Sequence, residues 1–164
     1  MKKIAIIMGS KSDEDKIKPA VEVLDSFGVE YEVRVLSAHR TPEAAADFAA
    51  HARDNGFCAI IAVAGKAAHL GGVLAAATTL PVVALPVQTS FLDGLDSVLS
   101  ILPMPSGVPV AVVGVNAGAN AALTCVRIIA AFDDAVNKKY IEYVNTMRDK
   151  TLSDDEQIRN RYSK

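Results

Sequence analysis

Tryptophan is absent from these 164 residues, and only two cysteines occur, Cys58 and Cys125. Both sit in apolar runs, "GFCAIIAVAG" and "NAALTCVRIIAAF", and read as buried small hydrophobes rather than redox groups. An excess of one charge is also missing. Seventeen Lys and Arg face nineteen Asp and Glu, for a formal net charge of −2. That removes the basic field that nucleic acid or an anionic membrane requires. No apolar segment reaches the length of a membrane span without a Gly, Pro or charge. The opening "MKKIAIIMGSKSD" has lysines and then a short apolar stretch that runs into a polar turn. It is too short for a signal-peptide core and reads as a first strand. The expectation is a cytoplasmic protein. Metal patterns are lacking too: the three His are not at helix-ligand spacing, and neither Cys is near one. There is no P-loop, GxGxxG fingerprint, flavin cue or nucleophile elbow.

What is present is a soluble globular composition, 51% hydrophobic and 22% charged. The length fits one domain, 1–164, large enough to bury a core unaided. Strand and helix signals alternate. Apolar, β-rich runs fall at 3–9, 30–36, 58–65, 81–87 and 108–115. Helical patterns fall between and after them, at 13–27, 42–55, 67–79, 91–102 and 117–131. A further helix covers 133–149, and 150–164 reads as a polar tail.

Five strands separated by helices specify a parallel sheet covered on both faces. The expected fold is a three-layer α/β/α sandwich, flavodoxin-like, with strand order 2-1-3-4-5 and an extra C-terminal helix. That last helix has apolar positions at Ala135, Val136, Tyr140, Ile141, Val144 and Met147 and no strand to follow it. It is expected to pack on a neighbouring subunit, as the Ala-rich helices also suggest.

In such sheets ligands bind beyond the carboxyl ends of the strands, at the switch between the first and third. Three turns meet there: "GSKSD" (9–13), "SAHRTP" (37–42) and "AGKAAHLGG" (64–72). In the first, Ser12 is placed to cap the helix, with Asp13 and Asp15 in its first turn. The same groups suit a phosphate and a sugar diol. In the second, Thr41 and Pro42 serve as cap and first helical residue. His39 and Arg40 are not needed for that punctuation. Arg suits bidentate recognition of phosphate or carboxylate, and His suits proton transfer near neutral pH. In the third, Gly65, Gly71 and Gly72 flank Lys66 and His69. His69 reads either as a satisfied buried His or as a functional one. His51, mid-helix, reads as a surface residue. The residues alone thus point to a phosphate-bearing sugar or nucleotide-like ligand beside one or two His, without a metal or redox cofactor.

The three turns, in this order and spacing, resemble the N5-carboxyaminoimidazole ribonucleotide mutases of de novo purine synthesis. The segment "ALPVQTS…GLDSVLSILPMPSGVPV…NAGANAAL" is similar in the same order, and the resemblance spans residues 3–150. It implies the rearrangement of N5-carboxyaminoimidazole ribonucleotide into 4-carboxy-5-aminoimidazole ribonucleotide, with no cofactor and no metal. It also implies a homo-octamer built through the C-terminal helices. By the same resemblance Ser10, Ser12 and Arg40 hold the phosphate, Asp13 the ribose, and His39 is the general acid/base. Gly65, Ala67 and His69 surround the migrating carboxylate. Backbone groups of Ser37 and Ala38 and of the third loop, Lys66 and Leu70 included, complete the pocket. Lys66 and Gly71 depart from the commonest pattern, Gly and Pro respectively, and neither departure removes a proposed catalytic group. Two other readings remain: a related branch that carboxylates aminoimidazole ribonucleotide directly with CO2, and a non-catalytic flavodoxin-like or receiver-like module. His39, Arg40 and His69 favour the mutase over the first. A third strand ending in "AVAGK", without an acceptor Asp, disfavours a receiver.

Overall fold

The computed structural model describes residues 3–163. Five parallel strands form one sheet: β1 Lys3–Met8, β2 Glu30–Val35, β3 Phe57–Ala64, β4 Val82–Pro86 and β5 Ala111–Val112, in the order β2-β1-β3-β4-β5. Six α-helices connect and follow them: α1 Glu14–Phe27, α2 Pro42–His51, α3 Leu70–Ala77, α4 Leu95–Ile101, α5 Gly118–Ala130 and α6 Asp134–Tyr162. The predicted order, the parallel sense and the cover on both faces are all observed.

The sheet is buried because its three central strands are apolar at every position that faces a helix. Ala5 and Ile7 of β1 lie level with Ile60 and Ala62 of β3, and Ala62 with Ala84 of β4. These residues share one core with Ala45 and Ala49 of α2 and Leu70 and Leu74 of α3. The alternate set, Ile4, Ile6, Ile61, Val63, Val83 and Leu85, is also fully buried, on the opposite face. Ile17, Ala20 and Leu24 of α1 and Ala121, Ala122 and Cys125 of α5 supply further buried side chains. Small residues let the helices come close. β2, by contrast, is half-exposed, as its alternating sequence predicts, and it carries Glu30, Glu32 and Arg34 on the sheet edge. Lys3 of β1 pairs with Glu32 at 2.6 Å.

Several elements differ in length from the sequence reading. β5 shrinks from 108–115 to two residues, since Pro109 lacks an N–H and an edge strand pairs on one side only. The helix expected over 91–102 begins only at Leu95. Leu92, Asp93 and Gly94 before it all have positive φ, at 50°, 54° and 93°. Gly94 is required there, because a Cβ would stand 2.8 Å from Val115 Cγ1 and 3.1 Å from Gln88 Cα. α3 starts at Leu70 rather than 67, after two tight turns in which Ala68 and His69 amides reach the carbonyls of Lys66 and Ala67. α2 gives way after His51 to turns through Asn55. The tail at 150–164 is not a tail: α6 runs unbroken to Tyr162. No Gly or Pro interrupts it. Asp155 stands four residues before Arg159, a favourable helical spacing, and Arg159 and Arg161 suit the negative end of the helix. Asp133 caps its start, accepting from the Val136 amide at 3.0 Å. Cys125 is buried, and burial pushes its thiol up to about 12. Cys58 is only half-buried, and its Sγ lies 3.4 Å from the Lys3 carbonyl.

By contacts the chain forms two compact units, Met1–Val126 and Arg127–Lys164. The first holds the whole sheet. The second holds the end of α5 and all of α6, where Arg127 stacks over Tyr140 at 5.8 Å. Among the described residues no helix is long and apolar enough to cross a membrane.

The first unit offers a stability test. Gly118 opens α5 so close to α1 that a Cβ would meet the Lys16 carbonyl oxygen at 2.8 Å. Replacing Gly by Ala in a helix normally gains up to about 1 kcal/mol. Here the contact is backbone and cannot swing aside, so overpacking outweighs propensity. Gly118→Ala is expected to destabilise the fold by about 1–3 kcal/mol in urea denaturation.

Candidate active site

The parallel register brings the ends of β1, β2 and β3 level. Gly9 donates its amide to Val63 O at 3.0 Å, and Leu36 to Met8 O at 2.9 Å. The three turns that follow therefore rise side by side at the carboxyl edge, at the switch point between β1 and β3. They line a cavity of about 670 Å3. Ser10, Ser12, Asp13, Ser37, Ala38, His39, Arg40, Gly65, Lys66, Ala67 and Leu70 all contribute to its wall. His69 lies outside this wall, in an adjoining cleft of about 460 Å3, and touches it through His39.

The first turn differs in detail from the sequence reading. Ser10, not Ser12, is the cap: its Oγ accepts from the Ser12 amide at 3.3 Å and opens a 3-10 turn at Lys11–Asp13 that leads into α1. Ser12 Oγ lies 2.9 Å from Ser10 Oγ and 3.3 Å from Asp13 Oδ1, so the two hydroxyls and the carboxylate form one chain. Burial raises the Asp13 pKa above its ordinary value, against the opposing pull of Ser12, Arg40 and Lys16.

The second turn also departs from simple helix punctuation. Thr41 occupies the cap position and Pro42 the first helical one, but the Thr41 hydroxyl makes no cap bond. It turns back to Ser37, accepting from its amide at 2.9 Å and lying 3.2 Å from its carbonyl. The turn is closed on itself, and His39 and Arg40 are left at its tip. Arg40 Nη2 donates to Gly9 O at 2.6 Å and its Nε to Ser37 Oγ at 3.4 Å. The guanidinium thus ties the second turn to the first, beside the serines.

The third turn holds the residue that breaks local rules. Lys66 has φ 60°, the left-handed region that costs a non-glycine residue about 1–2 kcal/mol. Two serines of α4 hold it there. The Lys66 amide donates to Ser97 Oγ at 2.9 Å, and Ser100 Oγ donates to Lys66 O at 2.8 Å. Glycine at this position would meet no such cost. His69 is exposed, so the reading of a buried, satisfied His is set aside. Its Nδ1 lies 3.0 Å from His39 Nε2, with the rings edge to face at 5.1 Å. His51 is a surface residue as expected, with Nδ1 2.9 Å from Asp47 O.

Sequence reasoning from the residues singled out too little after β4. Val87, Gln88 and Thr89 also line the cavity, as do Gly9, Ala64 and Lys16. Thr89 Oγ1 bonds the Asp96 carboxylate at 2.8 and 2.9 Å, and Gln88 exchanges hydrogen bonds with Asn116 at 3.0 and 3.1 Å. The signal that finds them is positional: β4 borders β3, so the turn after it opens on the same edge.

The Asp13 shift yields a pH prediction. A carboxyl whose pKa is raised by folding favours the fold below its unfolded value, and loses that contribution as pH rises through the folded value. Near pH 7 the charged carboxylate is therefore a cost to stability. Asp13→Asn is expected to raise the melting temperature near pH 7, with the gain shrinking toward about pH 4. Melting curves of both proteins at the two pH values check this.

Comparison with known proteins finds relatives that cover nearly the whole chain. Residues 3–150 match the family described as AIR carboxylase. The N5-carboxyaminoimidazole ribonucleotide mutase of Methanocaldococcus jannaschii is 49% identical over 156 residues, 95% of this chain and 97% of that protein. That of Saccharolobus solfataricus is 47% identical, over 93% of this chain and 97% of that protein. The crystal structure of Treponema denticola PurE superposes with a TM-score of 0.85 at 28% identity, covering 94% of this chain and 97% of that one. Likeness that extends over nearly the full length of both partners, in sequence and in fold, makes this chain a member of the AIR carboxylase family.

Proposed function

We propose that this protein is an N5-carboxyaminoimidazole ribonucleotide mutase, producing 4-carboxy-5-aminoimidazole ribonucleotide in purine synthesis. The observation that carries the reading is the meeting of the three turns. His39 stands at their junction, with Arg40 and the Ser10–Ser12–Asp13 chain on one side and His69 on the other. The relatives named as mutases lend it the substrate.

The phosphate binds at the first two turns. Ser10 and Ser12 offer hydroxyls, the start of α1 offers backbone amides, and Arg40 offers its guanidinium. Asp13 accepts from the ribose hydroxyls; a carboxylate kept half-buried here has no other evident use. Ser37 and Ala38 line the wall between phosphate and base. Gly65, Lys66, Ala67 and Leu70 surround the carboxyl group. Remote binding of this kind orients the base against the imidazoles.

The substrate is a carbamate. His39 gives a proton to the carbamate nitrogen, the C–N bond breaks, and CO2 leaves. The ring that remains is an enamine, nucleophilic at C4. It attacks CO2 held beside it, forming the new C–C bond, and C4 then gives up its proton to His39 so that the ring regains aromaticity. The imidazole ends as it began, and a closed wall keeps CO2 in place for recapture. His39 and His69 each present one ring nitrogen to the other, so one donates where the other accepts. His69 thereby fixes which nitrogen of His39 carries the proton toward the substrate.

The same reading makes the protein a cytoplasmic homo-octamer. Along α6, Ile141, Val144, Met147, Leu152, Ile158 and Tyr162 are exposed apolar side chains, as a helix that packs on neighbouring copies requires.

The decisive assay supplies the carbamate without ATP or bicarbonate. Direct conversion is expected; product formed only from aminoimidazole ribonucleotide and CO2 would move the protein to the carboxylase branch. His39→Asn is expected to lower kcat by about 10²–10⁴-fold with ribonucleotide binding largely kept. Arg40→Ala is expected to raise KM by about tenfold or more, since a hydrogen bond to a charged group is lost. Steady-state kinetics and equilibrium binding separate the two effects.

A further inference from the structure

Ser97 is the one fully buried polar side chain among the described residues. It lies on α4, a helix that contributes Asp96, Ser97 and Ser100 to the surroundings of the third turn and no residue to the main cavity wall. Its hydroxyl is used twice. It accepts from the Lys66 amide at 2.9 Å and donates to the Val87 carbonyl at 2.8 Å, at the end of β4. One turn along, Ser100 donates to the Lys66 carbonyl at 2.8 Å, and its hydroxyl also faces the Asp96 carbonyl. Both polar groups of one residue are therefore gripped by one helix, and that residue is the one in this loop with left-handed backbone.

A non-glycine residue leaves the left-handed region unless its surroundings fix it. If Lys66 relaxed, the residues that follow would be re-aimed. Ala68 and His69 take their direction from it, through amide bonds to the Lys66 and Ala67 carbonyls at 2.9 and 2.8 Å. His69 is the end of that chain, and its ring meets His39 at 3.0 Å. The link from α4 to the imidazole pair is thus continuous: serine hydroxyls, Lys66 peptide, two tight turns, His69, His39.

We propose that Ser97 and Ser100 are positioning residues for the reaction, holding Lys66 in its left-handed conformation so that His69 stays against His39. The inference rests on the mutase reading for its kinetic consequence, and on geometry alone for its structural one. It also accounts for how this chain carries Lys where glycine would be free to turn.

The test is a double-mutant cycle read in kcat, with a parallel readout that needs no catalysis. Ser97→Ala in the otherwise native chain is expected to lower kcat by about tenfold to 100-fold, as for a small misplacement of a reacting group, with KM changed much less. In a Lys66→Gly background the backbone no longer resists the turn. The same Ser97→Ala change is then expected to lower kcat by less than about threefold relative to Lys66→Gly itself. A merely structural role for Ser97 would give equal losses in both backgrounds, and that result overturns the proposal. Ser100→Ala repeats the cycle from the carbonyl side at a partly exposed position, and serves if Ser97→Ala does not fold. Ser100→Thr, which keeps the hydroxyl, is expected to retain activity. In parallel, NMR of the imidazole rings reads the His39–His69 contact directly. It is expected in the native chain, lost in Ser97→Ala or Ser100→Ala, and regained with Lys66→Gly added. A contact that survives the serine substitutions overturns the proposal even if the native protein proves to convert no carbamate. The absence of conversion by the native protein, with the contact behaving as stated, defeats the mutase reading alone.

Discussion

Two backbone hydrogen bonds fix everything that happens at the carboxyl edge: Gly9 to Val63 and Leu36 to Met8. They extend the parallel ladder one step past β1 and β2, and so set the height at which the chain leaves the sheet. Parallel strands space these exits evenly, and a helix must follow each one. Each exit is consequently a turn that ends in a helix N-terminus, with amides pointing outward. The chemistry of the site is assembled on that geometry. Arg40 can reach the Gly9 carbonyl, and His39 can reach His69, only because positions 31 and 30 apart in the chain return to the same level.

The site is built from groups that work against stability. A half-buried carboxylate at Asp13, a left-handed Lys66 and positive φ at Leu92 and Asp93 each cost free energy that a plain turn would not. The compensation lies elsewhere. Ile4, Ile6, Ile7, Ile60, Ile61 and Val63 are completely excluded from water, and burying side chains of this size contributes about 1.5–3 kcal/mol each. Strain is confined to one edge and the surplus comes from the centre of the sheet. The polar links at that edge are short and mutual: Ser10 with Ser12, Ser37 with Thr41, Ser97 with Lys66, Gln88 with Asn116.

Much of this was legible in the sequence. Alternating apolar runs and helical periods imply the parallel sheet and its order, and the switch point then singles out the three turns from the many loops. Eleven of the twelve residues that the family resemblance marks on those turns line one cavity, and His69 joins them through its ring. What escaped was set by contacts that periodicity does not register, two within a turn and one between distant segments. Thr41 looks like a cap until its hydroxyl is seen to close on Ser37. Ser12 looks like a cap until Ser10 is seen to hold the first amide. A helical pattern at 91–102 hides the turn at Asp93 and Gly94, because Val115 and Gln88 impose it from outside. The extent of α6 exceeds the sequence reading for a different reason: polar composition marks 150–164 as a tail, whereas an unbroken stretch without Gly or Pro has nothing to stop a helix.

The edges of the sheet decide how the molecule can associate. β2 exposes one row of amides and carbonyls, but Glu30, Glu32 and Arg34 lie along it, and Lys3 bends across to Glu32. At the other edge β5 offers two residues, two positions after Pro109. Neither border is a template on which another strand can lay itself down. Growth by sheet extension, the route to fibrils and to strand-exchanged dimers, is closed at both ends. Copies of this chain therefore do not join by strand pairing, and the carboxyl edge, with its turns, stays outside any backbone-to-backbone seam.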